Sequence, residues 1–428
     1  MEHYFSEKIK TFYFMVVAVM MYFFITEFID VGLHVTYRHA FALLLAGSAV
    51  VCFLYRPDIG RGFTAFTGAL VYSIPLFVTT VISLFIWFVG TAPTDVISRG
   101  LSSSFVFVNM FSFALAAGAF LYMFGENGIW YNLVAILISN LLMIAIIIAE
   151  NGLGSFFSEF ITLIVTFADE TGGIIVQAEI HELAFCLGAY LIYMLYKPQK
   201  KLWFFVLLGL SLFCFLAAFK RIGIIAIVIC WAFGVLLGWI AKSHRKFAQK
   251  LITVFCILMI LILVGYVWLI KADVFALLEK AGINTSGRVG IYNSVDQFYE
   301  FSPGFLGHGI GFLTYQLNTF MEVGVASIHN DFLQHFIDLG FFGYLIWLMS
   351  LTLVRVWYFG RKGQTENAIV TFILTLYLVI VSSTDNTMNY PLLTGVLAIL
   401  MMGCNFDSQV RETDISLFGC STRKEKQK

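Results

Sequence analysis

Residues 284–343 read NTSGRVGIYNSVDQFYEFSPGFLGHGIGFLTYQLNTFMEVGVASIHNDFLQHFIDLGFFG, a polar, Gly- and Asn-rich interval between two long apolar runs. The interval itself cannot cross a bilayer. Loops longer than about 12–15 residues are usually functional or disordered. Tyr292, Phe298, Tyr299, Phe301, Phe305, Phe312 and Tyr315 give this one enough apolar surface to pack, which argues for a folded cap rather than a disordered linker. The runs on either side decide its setting. They are uncharged over close to the ~20 residues a helix needs to span a bilayer, whereas a barrel strand would show about 10 residues of alternating polarity. The expected fold is an all-α polytopic membrane protein, with this interval as a cap over a membrane-embedded site.

Composition agrees. The chain is 60% hydrophobic and 12% charged, against roughly 25% charged in soluble domains. Lys and Arg balance Asp and Glu, so no nucleic-acid partner is implied. Cys52, Cys186, Cys214, Cys230, Cys256 and Cys404 lie within or near the end of apolar runs without metal-ligand spacing, as small core residues do. The first apolar run lacks a small-residue cleavage site and is read as a span.

Run lengths give about twelve spans: 11–29, 38–55, 63–89, 101–124, 129–149, 174–196, 202–219, 221–241, 251–270, 331–354, 368–384 and 391–405. The third is long and holds Pro75, so a kink or tilt is expected. Segment 155–168 is too short to span and reads as interfacial or re-entrant. The chain then divides into an N-terminal bundle (1–270), the cap between helices 9 and 10 (271–330), three C-terminal spans (331–405) and a tail (406–428). With both termini in the cytoplasm, 19 of the 26 Lys and Arg fall on the cytoplasmic side, which places the cap outside. Lys220 and Arg221 run against this bias, at a tight hairpin on the outer edge. Snorkelling to headgroup phosphates accounts for them; so does binding an anion in a polar cavity.

Within the cap, Arg288 follows a Ser-Gly turn. Gly307, Gly309 and Gly311 alternate after a Pro303-Gly304 turn, a pattern that lets backbone approach a ligand or another chain segment closely. Asp331 and Gln334 approximate a capping box, so the tenth span is expected to start near Asp331, with His329 and Asn330 just ahead of it. Arg221, Arg288 and His329 come from separated places that the topology puts on one side. Two arginines suit a diphosphate, because each guanidinium grips phosphate oxygens bidentately. A histidine suits proton abstraction from a hydroxyl. Lys220, Asn330, Glu182 and His181 are candidate substrate-binding residues. Glu179 could line the same cavity, and Asp385, Asn386 and Asn389 could meet sugar hydroxyls. His181 is the only imidazole in EIHE and HExxH is absent, so no metal is expected.

The order SGR (to Arg288), P-G-x-x-G-x-G-x-G (Pro303 to Gly311), HN (His329, Asn330) and D-L-G-x-x-G (Asp338 to Gly343) resembles the O-antigen ligase/polymerase family of bacterial envelope enzymes. Arg221, opening an apolar helix two spans before the cap, looks like that family's earlier arginine. Lys220 departs from the pattern, which more usually has a small or hydroxyl residue there. The resemblance covers roughly 215–350 by motif. It implies a GT-C-like, metal-independent membrane glycosyltransferase without a cofactor, in the bacterial inner membrane with its active site on the extracytoplasmic face. Its implied partners are a polyprenyl (undecaprenyl) diphosphate-linked oligosaccharide and an acceptor glycan lipid, with a chain-length regulator as a further candidate. Arg221 and Arg288 would hold the diphosphate and His329 would assist the attacking hydroxyl.

A polymerase of O-antigen, capsule or exopolysaccharide repeat units is favoured over a ligase that moves glycan to lipid A core. A lipid-linked sugar flippase is the alternative of another class. It would show charges halfway along helices or an inverted repeat; the span centres carry almost no charge and no repeat is apparent.

Overall fold

A bilayer offers no hydrogen-bond partners, so an apolar run must satisfy its backbone within itself and folds as a helix. The computed structural model describes residues 2–23, 36–90, 110–166, 181–218, 220–282, 288–320, 328–361 and 364–418, and among them the regular elements are all helical. In chain order these are α1 (Glu2–Tyr22), α2 (Thr36–Tyr55), α3 (Ile59–Tyr72), α4 (Ile74–Val89), α5 (Met110–Phe124), α6 (Asn127–Asn151), α7 (Leu153–Thr166), α8 (His181–Tyr196), α9 (Leu202–Ala218), α10 (Arg221–Ser243) and α11 (Arg245–Lys271). The cap contributes α12 (Val274–Lys280), α13 (Arg288–Val295) and α14 (Phe312–Phe320). After it come α15 (Asp331–Gly360), α16 (Thr365–Ser382), α17 (Pro391–Gly403) and α18 (Phe406–Phe418).

The protein is an all-α polytopic membrane protein. Among the described residues, six helices are long and apolar enough to cross a membrane, or eight if each of two bent pairs is one span. Each of the twelve expected runs coincides, wholly or in part, with a helix; α5, α8 and α9 are shorter apolar helices. The third run is broken at Ser73, just before Pro75, as its proline leads one to expect. Segment 155–168 falls on α7, whose 14 residues rise only about 21 Å.

Two compact units form, one from Met1–Leu70, Ser112–Val235 and Tyr390–Lys428, the other from Val71–Phe111 and Leu236–Asn389. In the first, α1 packs on α2 and α6, and α8 on α9 and α17. One chain of paired polar groups runs inside it. The Tyr22 hydroxyl donates to Asn132 Oδ1 at 2.8 Å, Asn132 Nδ2 donates to the Tyr190 hydroxyl at 2.9 Å, and that hydroxyl donates to the Ile129 carbonyl at 3.0 Å. Such groups are tolerated in an apolar interior only when hydrogen-bonded.

In the second unit α15 packs against α4 and α11, and its final turns lie on α16. α15 is interrupted at Gly340, whose φ of 70° and ψ of −178° only glycine adopts readily. An unbroken helix would bond the carbonyls of Ile337 and Asp338 to the N–H groups four residues on. Here the glycine-rich cap stretch supplies donors instead: His308 N–H to the Ile337 carbonyl at 3.2 Å and Gly309 N–H to the Asp338 carbonyl at 2.7 Å. Phe341 N–H in turn donates to the Phe305 carbonyl at 2.9 Å. A Cβ on Gly340 would stand 2.2 Å from the Leu306 carbonyl carbon, and one on Gly307 2.3 Å from the Gly340 nitrogen. Gly307 therefore meets the backbone of a neighbouring chain segment, whereas a Cβ on Gly309 would meet the Trp87 indole. Gly340→Ala is expected to lower stability by more than ~3 kcal/mol, because a left-handed backbone and a backbone clash add. Gly304→Ala, where a Cβ meets only Ser302 Oγ at 3.7 Å, is the control. Thermal unfolding of the two variants in detergent checks this.

Arg355 departs from its reading as a loop cation beyond the tenth span. The helix continues to Gly360, and Arg355 is buried within it. Its Nε and Nη2 donate to the Tyr72 carbonyl at 2.9 and 2.5 Å, with the guanidinium 4.1 Å from the Tyr72 ring centre. That carbonyl lacks its usual helical partner because the chain breaks at Ser73, where Leu76 N–H turns to the Ser73 carbonyl.

Candidate functional site

The site is organised by the start of α15. Asn330 is the N-cap: its side-chain oxygen accepts from Leu333 N–H at 3.1 Å. The expected helix start thus holds, but the cap is Asn330 and not Asp331. Asp331 is buried as the first helical residue, and its Oδ2 accepts from Met388 N–H at 2.9 Å. The amide of Asn330 does further work, donating to the Tyr266 hydroxyl at 3.1 Å and the Tyr292 hydroxyl at 3.0 Å. Asn330 thereby joins α11, the cap helix α13 and α15. Asn330→Ala is expected to cost about 2–4 kcal/mol, since a cap is lost and two hydroxyls lose a buried donor. Asn330→Asp, which keeps the cap acceptor, should fall between; unfolding in detergent ranks the three.

His329 precedes this cap at φ 49°, a left-handed conformation that costs a non-glycine residue ~1–3 kcal/mol and clusters at functional sites. Its side chain is 47% exposed, and Nδ1 lies 3.7 Å from Oδ1 of Asp385, itself 15% exposed. That distance is within ion-pair range and longer than a direct hydrogen bond. Asp385 Oδ1 also accepts from Asn386 N–H at 2.8 Å, which fixes the carboxylate on its own turn. One residue earlier, the Thr384 carbonyl accepts from Nη2 of Arg288 at 2.9 Å, and before that the Ser383 carbonyl accepts from Tyr266 at 3.0 Å. Arg288, His329 and Asp331, from two elements distant in sequence, therefore converge on the 383–388 turn. Arg288 opens α13 and is half-buried.

The cap is tied down nearby. Lys271 Nζ lies 2.8 Å from Asp296 Oδ1, donates to the Asp296 carbonyl at 2.9 Å and sits 4.6 Å over the Tyr299 ring. Asp338 presents its carboxylate to the N–H groups of Gly311 and Leu313 where α14 begins. The other cap imidazole is structural. Nε2–H of His308 donates to the Phe298 carbonyl at 2.8 Å, and the ring stacks on Phe312 at 4.0 Å. Burial lowers its pKa below the ordinary histidine value, the carbonyl opposing in part. His335 is buried, donating from Nδ1–H to the Asp331 carbonyl at 2.7 Å and stacking on Trp347.

Asn386 and Asn389 lie on the 383–388 turn and its short following helix, and the remaining sequence candidates belong to the first unit. Arg221 opens α10 and is exposed; Lys220 precedes it, half-buried, its carbonyl accepting from Ile224 N–H at 3.2 Å. Glu182 is buried and both its oxygens are engaged: Oε2 with Arg38 Nη1 at 3.0 Å, Oε1 with Leu392 N–H at 2.6 Å. It joins α8, α2 and the start of α17. His181 begins α8, but its side chain lies outside the described residues, as does Glu179. Among the described residues no group of three or more His, Cys, Asp or Glu is placed to hold a metal ion.

Sequence reasoning missed three members of this cluster. Tyr266 carries no signal of its own within its apolar run, Tyr292 reads as apolar filling, and Asp385 reads as a sugar contact and not as the partner of His329. An imidazole with a carboxylate at one ring nitrogen presents the other nitrogen to a substrate, and a guanidinium beside it offers anion binding. That combination serves transfer between an anionic leaving group and a hydroxyl.

Residues 206–348 match the family model described as O-antigen ligase. The match begins within α9 and includes the cap, Arg288 and His329. No curated protein matches the chain.

Proposed function

For a membrane protein of the O-antigen ligase/polymerase family, we propose the reaction of a metal-independent polysaccharide polymerase. It transfers a glycan from a polyprenyl diphosphate carrier to a sugar hydroxyl of a lipid-linked acceptor. The observation that carries this reading is the approach of Arg288, His329 and Asp385 at the 383–388 turn. His329 takes the proton of the attacking hydroxyl as the new glycosidic bond forms. The carboxylate of Asp385 orients the ring through Nδ1 and faces the positive charge that the ring acquires. The bond from the anomeric carbon to the carrier diphosphate breaks, and Arg288 stabilises the charge developing on the departing oxygens, where fixed positive groups help most. Arg221 enters as a second diphosphate ligand from the resemblance alone, with Lys220 and Asn330 in supporting roles. Glu182 and His181 are carried by the first unit, and engagement of both Glu182 oxygens argues for support of α8 over substrate contact.

Purified full-length protein in detergent, given only lipid-linked repeat unit, should release carrier diphosphate and form longer glycans. Product formation only when lipid A core is added would instead identify a ligase. With the protein reconstituted in vesicles, loss of donor from one leaflet without product would identify a flippase. The inside-positive bias places the cap outside; cysteines introduced in 271–282 should therefore label from outside intact cells, and those in 242–250 should not.

A further inference from the structure

The second unit holds a groove that the proposed reaction does not use. It has a volume of about 800 Å³ and lies among the first turns of α11, the end of α15 and the start of α16. Lys246, Lys250 and Arg361 line it, and no carboxylate does. Lys246 and Lys250 stand one helical turn apart on α11. Arg361 is held with its guanidinium 4.0 Å from the Tyr358 ring centre. Gln249 Nε2 donates to the Gly360 carbonyl at 3.4 Å, fastening α11 to the end of α15 beside the cations. The rest of the lining is largely apolar, with Leu353, Val354, Val356 and Ala368. Trp357, 71% exposed, stands at its rim.

Position decides what fits. α11 has 27 residues and so rises about 40 Å. The groove is at its first turns, while Tyr266 and Lys271 at the other end reach the candidate site and the cap. The groove thus faces the opposite membrane surface and cannot serve the transfer reaction. Three cations beside apolar lining and an exposed tryptophan match an amphipathic anion better than a free one. Basic pockets between transmembrane helices bind anionic headgroups in this way, and exposed tryptophans favour the same interfacial layer.

We propose that this groove binds the phosphodiester headgroup of an anionic glycerophospholipid, with its acyl chains along α15 and α16. The lipid would place one negative charge among three neighbouring cations, easing their mutual repulsion, and bridge α11 to the α15–α16 end. Each basic residue near an anionic surface contributes about 1 kcal/mol, so removing three should weaken binding on the order of a hundredfold.

The test uses full-length protein in detergent, with native mass spectrometry and thermal unfolding as readouts. Phosphatidylglycerol should bind saturably and raise the unfolding temperature; phosphatidylcholine with the same acyl chains should do neither. The triple variant Lys246→Gln/Lys250→Gln/Arg361→Gln should lose that binding while retaining glycan transfer. Lys250→Gln alone, at an exposed position, should weaken binding about fivefold, which keeps the test open should the triple variant fold poorly. Equal binding of the two lipids, or unchanged affinity in Lys250→Gln, would overturn the proposal. So would competition by inorganic phosphate or a polyprenyl phosphate as strong as that by phosphatidylglycerol.

Discussion

His329→Ala is expected to lower glycan transfer by ~10²–10⁴-fold, the usual contribution of a positioned general base, while protein level and carrier-lipid binding stay near normal. In the proposed reaction the leaving group is a diphosphate and departs readily, so the demanding step would be activation of a sugar hydroxyl, whose proton is held far above neutral pH. The proposed mechanism gives that step to His329, whose Nδ1 lies near the Asp385 carboxylate. His308 and His335 each donate a ring N–H to a backbone carbonyl and stack on an aromatic ring, so their alanine variants should act on stability first. Asp385 is the internal check. Asp385→Asn keeps the shape of the turn but removes the charge 3.7 Å from Nδ1, so kcat should fall by about tenfold or more with little change in KM. Asp385→Glu should recover part of the loss, which a merely structural role would not produce. Near-normal transfer by His329→Ala would place the base elsewhere. Asp385 would then be the next residue to test, because Glu182 already has Arg38 and Leu392 on its two oxygens.

Local signals in the sequence reached the helices and their punctuation, and stopped at partners distant in the chain. Pro75 marks the break in the third run because proline cannot continue the hydrogen-bond ladder. The freed Tyr72 carbonyl, however, is answered by Arg355, 283 residues away, and a cation just past an apolar run reads as a loop residue. The glycine spacing at 307, 309 and 311 announces a close approach. Its partners, Gly340 and Trp87, become visible only once α15 is seen to break. At the tenth span Asn330 and Asp331 are both good caps. Asparagine takes the position because its amide accepts from Leu333 and donates to two tyrosines, which a carboxylate cannot do. The site followed the same division. Residue type and motif order single out Arg288 and His329 as candidates, whereas the approach of Asp385 to His329 requires the turn after α16 to be brought to the start of α15.

Arg288→Lys is expected to lower kcat/KM by ~10²–10³-fold, comparable with removing one donor that stabilises developing charge in a transition state, although the net charge is unchanged. The guanidinium is planar and presents its donors in a fixed fork that matches two phosphate oxygens at once; an ammonium is a point charge on a flexible stem. In this protein the fork also has an anchor, since Nη2 donates to the Thr384 carbonyl, one residue from the carboxylate that faces His329. A lysine that reached the diphosphate would leave that carbonyl unpaired, and one that served the carbonyl would be withdrawn from the substrate. The loss should therefore appear in kcat as well as KM, because the 384–385 turn sets the relation between the anion grip and the base. Arg288→Ala should be worse by little, since the fork is already lost in the lysine variant. Unfolding temperature should move by only a few degrees in either, because Asn330, Tyr266 and Asp331 still hold the turn. Arg221→Lys, measured alongside, tests the second diphosphate ligand that the resemblance supplies. Full transfer activity in Arg288→Lys would reduce Arg288 to a brace for the turn and remove the anion grip from the mechanism.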